Sequence, residues 1–361
     1  MNKLSALVLL SLLFALATGI AAGESKFPMN VVDSAGREVN LTEPVERVIV
    51  LDTDAAEAVS IIGASDMIVG LVSGITDSYE FQRLKDRPSV GTWTDIDYEM
   101  IGKIAHNGSL SDIIVLGYVY PGMPYGVQTV ANNLQSIGGI KALGLDFYKE
   151  ENLSREMTLL GSILDKEDRA NMIIDWHDRH VAEVEAALAG MDRPGVYIES
   201  SSRGLGDITT FGNSSGTGML LEKAGGNNVM EEKDAYPKVD WEWVISQNPD
   251  IIIKTDYLKS SDGLPGWSME SSNDTKNLEQ IRNGILSRPG AQNISAIKND
   301  RVYIVSAQSL FGLDNVAGLQ RLAKIIHPEI KFNPEDVYSE YLQFMGLKDL
   351  KGRIFVYPPM K

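Results

Sequence analysis

The chain has 361 residues, of which 43% are hydrophobic and 33 are glycine, so it is long enough to form two globular domains. Its net charge of −16 argues against a nucleic-acid partner, because a phosphate backbone repels so acidic a chain and no basic run offsets the charge. The sequence contains no cysteine, which excludes disulfides, thiolate metal sites, cysteine nucleophiles and a lipidated N-terminal cysteine.

Residues 1–23 are predicted to be a signal peptide. Lys3 supplies the positive charge, residues 4–16 form the apolar segment, and residues 20–23 resemble a signal peptidase site. The apolar run to Ala22 is also just long enough to span a bilayer, so an uncleaved N-terminal anchor is the alternative. The protein is therefore expected to be exported, either free or anchored, at the periplasmic or extracellular face of the membrane.

An N-terminal α/β lobe is predicted over residues 24–150. It begins with a polar, hairpin-like segment and continues as a strand, a helix that Asp52, Thr53 or Asp54 can cap, and a second strand. The apolar run at residues 112–116 predicts a buried strand of the same parallel sheet. The four apolar or helical segments are residues 47–51, 52–62, 67–71 and 112–116.

Two linking helices are predicted over residues 151–192. Leu153, Met157 and Leu160 follow helical spacing, the pattern restarts after Asp165, and a second apolar stripe runs on to Leu188. A helix of about 24 residues spans about 36 Å, which is the width of a small domain. We interpret the second helix as a rigid strut between two lobes; an ordinary core helix of one large domain is the alternative.

A C-terminal α/β lobe with a C-terminal extension is predicted over residues 193–361, and it repeats a pattern of the first lobe. Trp93 lies six residues before Glu99, and Tyr236 lies six residues before Glu242. An Asp-Ile-Ile strand follows each glutamate, although the spacing to it differs by five residues between the halves. These coincidences favour a divergent duplication of one lobe.

Several short motifs occur in an order that resembles the class III periplasmic binding proteins, which deliver iron–siderophore complexes, haem or cobalamin to ABC importers. The resemblance extends from residue 31 to about residue 358. It implies two Rossmann-like lobes with central, mostly parallel sheets, joined by one long rigid α-helix. The motifs are RVIVL at 47–51, RPSVG at 87–91, AGGNNV at 224–229, NPDIII at 248–253, AIKNDRVY at 296–303, HPE at 327–329 and EY at 340–341.

The resemblance also implies two sets of functional residues. In the family an acidic residue at the top of each lobe pairs with arginines of the permease dimer, and the matching positions are Glu99 and Glu242. Two carboxylates held apart on a rigid body suit a two-fold-related pair of arginine sites. The aromatic residues Trp93 and Tyr236 match positions that face the cleft in cobalamin binders, where aromatic faces bury a large area.

Further ligand contacts are predicted in the loops that follow the strands, because the carboxyl ends of parallel strands line the ligand crevice. Arg203 could neutralise an anionic chelate. The other candidates from these loops are Asp52 to Asp54 with Thr53 among them, Ser73, Tyr118, Tyr120 and Tyr257. No metal site is predicted, because His177 and His180 lie on the strut and the other histidines are distant in sequence.

The predicted function is extracytoplasmic capture of an iron chelate of the siderophore type and its delivery to the permease dimer and ATPase of an ABC importer. Cobalamin, another corrinoid or haem is the alternative ligand, and the position of Trp93 favours cobalamin. The alternatives of other classes are a metal-cluster enzyme of a related two-lobe fold and a surface sensor or adhesin. No enzyme is predicted, because the sequence lacks a nucleophile elbow, a histidine cluster and a phosphate loop. No cofactor is predicted besides the chelate or corrinoid as ligand.

Overall fold

A computed structural model describes residues 26–201, 208–231, 234–256, 275–348 and 353–360. The predicted signal peptide and the candidate ligand residues Arg203 and Tyr257 lie outside these ranges. Within them, no helix combines the length and the apolar character needed to cross a membrane.

The described chain alternates strands and helices through most of its length. The strands are β1 (Met29–Val32), β2 (Glu38–Leu41), β3 (Arg47–Val50), β4 (Ile68–Leu71), β5 (Ile113–Gly117), β6 (Lys141–Gly144), β7 (Gly195–Glu199), β8 (Ile208–Thr209), β9 (Asn227–Asn228), β10 (Lys238–Val239), β11 (Ile251–Asp256), β12 (Val302–Ser306) and β13 (Val356–Tyr357). The helices are α1 (Thr53–Ile61), α2 (Tyr98–Ala105), α3 (Val127–Leu134), α4 (Glu150–Ile163), α5 (Glu167–Leu188), α6 (Gly216–Lys223), α7 (Trp241–Gln247), α8 (Lys276–Leu286), α9 (Ser295–Lys298), α10 (Asn315–Ile326) and α11 (Pro334–Phe344).

The first lobe is built on a parallel sheet with the strand order β4-β3-β5-β6. β5 is buried throughout and β3 almost so, which is why both read as unbroken apolar runs rather than as alternating patterns. Helix α1 starts directly after β3, where the Asp52 carboxylate accepts a hydrogen bond from the Ala55 amide at 2.7 Å. The predicted strand–helix–strand unit is confirmed, and its boundaries fall within one residue of the prediction.

The second lobe is built on a sheet with the order β13-β12-β11-β7-β9. Its strands are parallel except β13, which pairs antiparallel with β12 at one edge. The fold class predicted from the sequence, two α/β lobes with mostly parallel sheets, is therefore confirmed.

Helix α5 leads from the last strand of the first sheet, by way of α4, to the first strand of the second sheet. Its 22 residues correspond to about 33 Å. The break before it falls at Asp165, whose backbone adopts a φ of 55°. Helices α4 and α10 both pack along α5 and cover its apolar stripe. The long connecting helix agrees with the predicted strut.

The C-terminal extension makes a second connection between the lobes, which the sequence did not predict. The Tyr338 hydroxyl of α11 donates a hydrogen bond to Glu80 Oε1 at 2.7 Å, and Arg353 donates to the same oxygen at 3.0 Å. Arg83 of the first lobe donates to the Met345 carbonyl at 2.8 Å. Burial raises the pKa of Glu80, but Arg353 and Tyr338 outweigh it and hold that pKa below its ordinary value. The two lobes are thus held together on two sides.

Candidate functional site

A cavity of about 530 Å³ lies between the two lobes. The first lobe contributes the start of α1, the segment 74–81 and the loops after β5 and β6. The second lobe contributes Ser200, Phe211, Gly216, Tyr236 and the loop 308–314, and the C-terminal extension adds Tyr341, Arg353 and Phe355. The cavity therefore occupies the crevice at the carboxyl ends of the strands, where ligands of open α/β sheets bind.

Aromatic side chains from both lobes form the walls of this cavity. The rings of Tyr118 and Tyr120 lie 4.9 Å apart, and Tyr148 lies within 6.4 Å of each of them. From the second lobe, Tyr236 packs on Phe211 at 6.0 Å and remains 54% exposed. Burial, and then the nearby phenols of Tyr148 and Tyr236, raise the pKa of Tyr120. The tyrosines of the two lobes therefore approach one another across the cleft.

The predicted ligand residues divide into those that line the cavity and those that do not. Thr53, Tyr118, Tyr120 and Tyr236 line it. Ser73 does not, although the next residue, Gly74, does. That these residues contact a ligand remains a prediction.

Trp93 lies outside the set of residues that line the cavity. Its ring packs edge-on against Tyr125 at 4.9 Å, and Tyr125 packs against Tyr120 at 5.7 Å. The Trp93 side chain is 49% exposed. It therefore extends the aromatic wall outward from Tyr120, where a ligand larger than the cavity would meet it.

The cavity also contains a carboxylate cluster, formed by Asp54, Glu57 and Asp314. The pKa of Asp54 is raised to about 6. Burial is the largest cause, the hydrogen bond from Tyr118 lowers the pKa, and the charge of Asp146 raises it. Burial and the charge of Glu80 raise the pKa of Asp314 to about 7, against the opposing effect of Arg321. Burial, Asp314 and Asp54 raise the pKa of Glu57 well above its ordinary value. Burial and the neighbouring negative charges therefore shift the pKa of all three acids upward.

Asp52 to Asp54 were predicted to lie in the crevice, whereas Glu57 and Asp314 were not. Asp54 and Glu57 are three residues apart on α1, so they lie on the same face of the helix. Because α1 begins at the crevice, the three-residue spacing from Asp54 could have predicted that Glu57 also faces it. No local pattern marks Asp314, which the packing of the second lobe brings to the first.

The two predicted docking residues occupy equivalent positions in the two lobes. Glu99 is in the first turn of α2, where the Met100 amide donates to the Asp97 carboxylate at 2.9 Å. Glu242 is in the first turn of α7, where the Trp243 amide donates to the carboxylate of Asp240 at 2.8 Å. Both glutamates are exposed and neither lines the cavity. The docking role of these glutamates remains a prediction.

The histidines contact neighbouring elements rather than one another. His180 contacts Glu183 at 2.9 Å and Glu340 of α11 at 3.0 Å, and His327 contacts the Gly225 carbonyl at 3.2 Å. Over the part of the chain that the structure describes, no group of three or more His, Asp or Glu side chains is arranged to hold a metal ion.

Residues 112–308 match the family model described as Periplasmic binding protein. The chain belongs to this family. The members are solute-binding proteins, and the two-lobe fold with a cleft between the lobes is the arrangement in which this periplasmic binding protein would hold a solute.

Curated relatives of this periplasmic binding protein are distant in sequence. A cobalamin-binding protein of Halobacterium salinarum is 22% identical over 243 residues, which are 63% of this chain and 58% of the relative. The match therefore spans little more than half of that relative. An uncharacterized ABC transporter substrate-binding lipoprotein of Bacillus subtilis, YvrC, is 19% identical over 314 residues, covering 84% of this chain and 87% of the relative.

Solved structures share the fold of this periplasmic binding protein. The TroA-like periplasmic binding protein FepB from Veillonella parvula has a TM-score of 0.71 and 20% identity, covering 91% of this chain and 99% of its own. A protein of an ABC-type Fe³⁺-hydroxamate transport system from Saccharomonospora viridis has a TM-score of 0.58 and 22% identity, covering 83% of this chain and 99% of its own. The haem-binding protein RhuT from Roseiflexus sp. has a TM-score of 0.60 and 20% identity, covering 79% of this chain and 98% of its own.

The carboxylate cluster makes the stability of the ligand-free protein dependent on pH. The pKa values of about 6 for Asp54 and about 7 for Asp314 lie above the ordinary value of 3.8. Between pH 4 and pH 7 the folded state binds more protons at these two acids than the unfolded state does. Their contribution to stability is therefore fully present below about pH 4 and is lost as the pH rises through 6 and 7. The expected loss is a few kcal/mol, since one pKa unit corresponds to about 1.36 kcal/mol.

Urea denaturation of the ligand-free protein between pH 5 and pH 8 measures this effect. Asp54→Asn should flatten the pH dependence, because an amide does not titrate in this range. Glu80 has a lowered pKa, so its contribution to stability is lost as the pH falls, and this loss occurs only at more acidic pH. A denaturation midpoint that stays constant or rises from pH 5 to pH 8 would contradict the raised pKa values.

Proposed function

We propose that this periplasmic binding protein captures an iron chelate or a corrinoid in the cleft between its lobes and presents it to the permease dimer of an ABC importer. The observation that carries the proposal is the cavity of about 530 Å³ with aromatic walls contributed by both lobes. Aromatic faces bury a large apolar area at little conformational cost, which suits a bulky and rigid ligand. The proposed role is binding without catalysis.

Delivery to a permease is supported by the arrangement of Glu99 and Glu242. Each is an exposed residue in the first turn of a helix that precedes a central strand, α2 before β5 and α7 before β11. A symmetric pair of carboxylates suits the two-fold symmetry of a permease dimer. The name of the Bacillus subtilis relative, an ABC transporter substrate-binding lipoprotein, supports the same role. We accordingly place the protein outside the cytoplasm, where such a permease receives its ligand.

The ligand class is supported by the walls of the cavity and by the names of the relatives. Those names refer to cobalamin, Fe³⁺-hydroxamate and haem. These ligands are all bulky metal complexes. The aromatic walls suit both an iron chelate and a corrinoid.

Titration of the exported form with cyanocobalamin, with ferrioxamine B and with haem tests the proposal. At least one complex should bind, and Tyr236→Ala should weaken binding by about 1 kcal/mol or more, because the substitution removes an aromatic face of the cavity. Trp93→Ala should weaken the binding of a ligand that extends beyond the cavity. Isothermal titration calorimetry supplies the affinities.

Met172→Ala is the matched control for these variants, because Met172 is a 50% exposed apolar side chain on the strut, away from the cavity. Its effect on affinity should be negligible. The cleft is not the ligand site if Tyr236→Ala and Met172→Ala bind with the same affinity, and the ligand class is wrong if none of the three complexes binds.

A further inference from the structure

The described residues that line the cavity carry an excess of negative charge. Lysine and histidine are absent from this described lining, and its single arginine donates a hydrogen bond to one of the acids, Glu80, at 3.0 Å. The charged residues of the lining are Asp54, Glu57, Asp77, Glu80, Asp314 and Arg353. A ligand in this cavity therefore meets more carboxyl groups than guanidinium groups.

Glu57 differs from Glu80 in having no counter-charge. Its side chain is almost fully buried, with 4% of the residue exposed, and its Oε1 atom has no hydrogen-bond partner in the described chain. The Tyr341 hydroxyl and the Leu313 amide donate hydrogen bonds to the Glu57 carboxyl group, so the unsatisfied atom is Oε1 alone. Its Oε2 atom lies against the second lobe, since a Cβ atom added to Gly312 would be only 2.1 Å from it. A buried acceptor without a donor is unfavourable for folding, so its retention calls for an explanation.

The opposite lobe places a second acceptor in the same cavity. Gln308 follows β12, and its side-chain Oε1 atom is buried and has no hydrogen-bond partner among the described residues. Asp54, by contrast, accepts a hydrogen bond from the Tyr118 hydroxyl at 2.6 Å. Unpaired acceptors on both sides of the cavity would be satisfied by a ligand that carries hydrogen-bond donors.

We propose that the ligand of this cleft places a cationic or N–H-donating group against Glu57, and that the cleft discriminates against complexes that present an anionic group there. The inference rests on the proposed function only in taking the cleft as the ligand site. A cationic donor beside Glu57 favours the ionised form of this acid and supplies the donor that its Oε1 atom lacks, whereas a ligand carboxylate would add a like charge to a buried acidic site.

This inference narrows the range of ligands. A hydroxamate chelate with an ammonium tail and a corrinoid with primary amide side chains both carry the required donors. Haem, with two propionates, and the anionic ferric complexes of citrate or catecholates do not. The expected charge of the ligand is thus opposite to the charge for which Arg203 was suggested as a contact.

Two matched pairs of complexes test the inference, because the members of each pair differ by one charge. The first pair is ferrioxamine B, with its free ammonium group, and its N-acetylated derivative. The second pair is cyanocobalamin and its monocarboxylic acids, in which one amide is replaced by a carboxylate. At pH 7.5 ferrioxamine B should bind at least tenfold more tightly than its N-acetylated derivative, or cyanocobalamin at least tenfold more tightly than its monocarboxylic acids, whichever pair the protein binds.

Glu57→Gln should reduce this preference to about threefold or less, because the amide keeps the shape of the side chain but not its charge. Asp192→Asn is the control with the same change in net charge at an exposed position outside the cavity, and it should leave the preference unchanged. Equal affinity for the two members, or a preference that survives in Glu57→Gln, would overturn the inference.

A second measurement requires no ligand. At pH 8 the melting temperature of Glu57→Gln should exceed that of Asp192→Asn by about 2 °C or more, because the variant removes a buried acid whose Oε1 atom has no donor among the described residues. Glu80→Gln should melt at a lower temperature, because Glu80 is paired with Arg353. A lower melting temperature for Glu57→Gln would mean that the protein itself satisfies this carboxylate, and the inference would be wrong. If neither pair binds, the proposed ligand class fails, while this measurement still decides the inference.

Discussion

Charge reversal of Glu99 and Glu242 together should abolish the uptake of labelled ligand into vesicles that contain the cognate permease, while the affinity for the ligand stays unchanged. Neither side chain lines the cavity, so ligand binding does not depend on them. Close charge pairs across protein interfaces couple by about 1.5–7 kcal/mol, and reversal replaces this attraction by repulsion. Each single reversal should reduce uptake, and the double reversal should reduce it further.

Reversal of Glu38 and Asp192, one exposed acid from each half of the chain, is the matched control for net charge. This control should transport ligand normally. Exchanging the partner arginines of the permease for glutamate should restore part of the uptake lost in the double reversal. Normal uptake in the Glu99 and Glu242 variant, or a parallel loss of ligand affinity, would contradict the docking role.

Glu199→Ala should destabilise the protein by about 3–5 kcal/mol, because it removes the carboxylate that pairs with two buried cations. Glu199 is fully buried at the end of β7. Lys254 donates to it at 2.8 Å, and Arg288 donates two hydrogen bonds at 2.7 and 2.8 Å. Burial raises the pKa of Glu199, but Arg288 and Lys254 outweigh it and hold that pKa below its ordinary value.

Urea denaturation at pH 7 measures this loss. Glu99→Ala is the control, because its ion pair with Lys103 is exposed, with side chains 80% and 63% accessible, and solvent screens such a pair. Ser200, the residue after Glu199, lines the cavity, so the network also anchors the edge of the ligand site. A loss below about 1 kcal/mol for Glu199→Ala would show that the second lobe does not depend on this network.

The local elements of the fold were predictable from the sequence. The apolar runs that became β3 and β5, the Asp52 cap of α1 and the stripe along α5 each depend on residues close together in the chain. The matched spacing around Glu99 and Glu242 also indicated the duplicated lobe, and α2 and α7 carry these residues at equivalent positions. Hydrophobic period and capping act over one or two turns, so a single segment is enough to reveal them.

Only the tertiary structure decided the composition of the cleft. Glu57 and Gln308 are far apart in sequence, and they line one cavity because the two lobes are held face to face by α5 and by the C-terminal extension. The burial that raises the pKa of Asp54 and Asp314, and the pairing that lowers that of Glu80, likewise follow from packing between lobes. The sequence by itself therefore determined the two lobes, the strut between them and the candidate docking residues. The packing of the lobes decided the charge of the ligand site, because desolvation and partner distance depend on three-dimensional neighbours that no local pattern records.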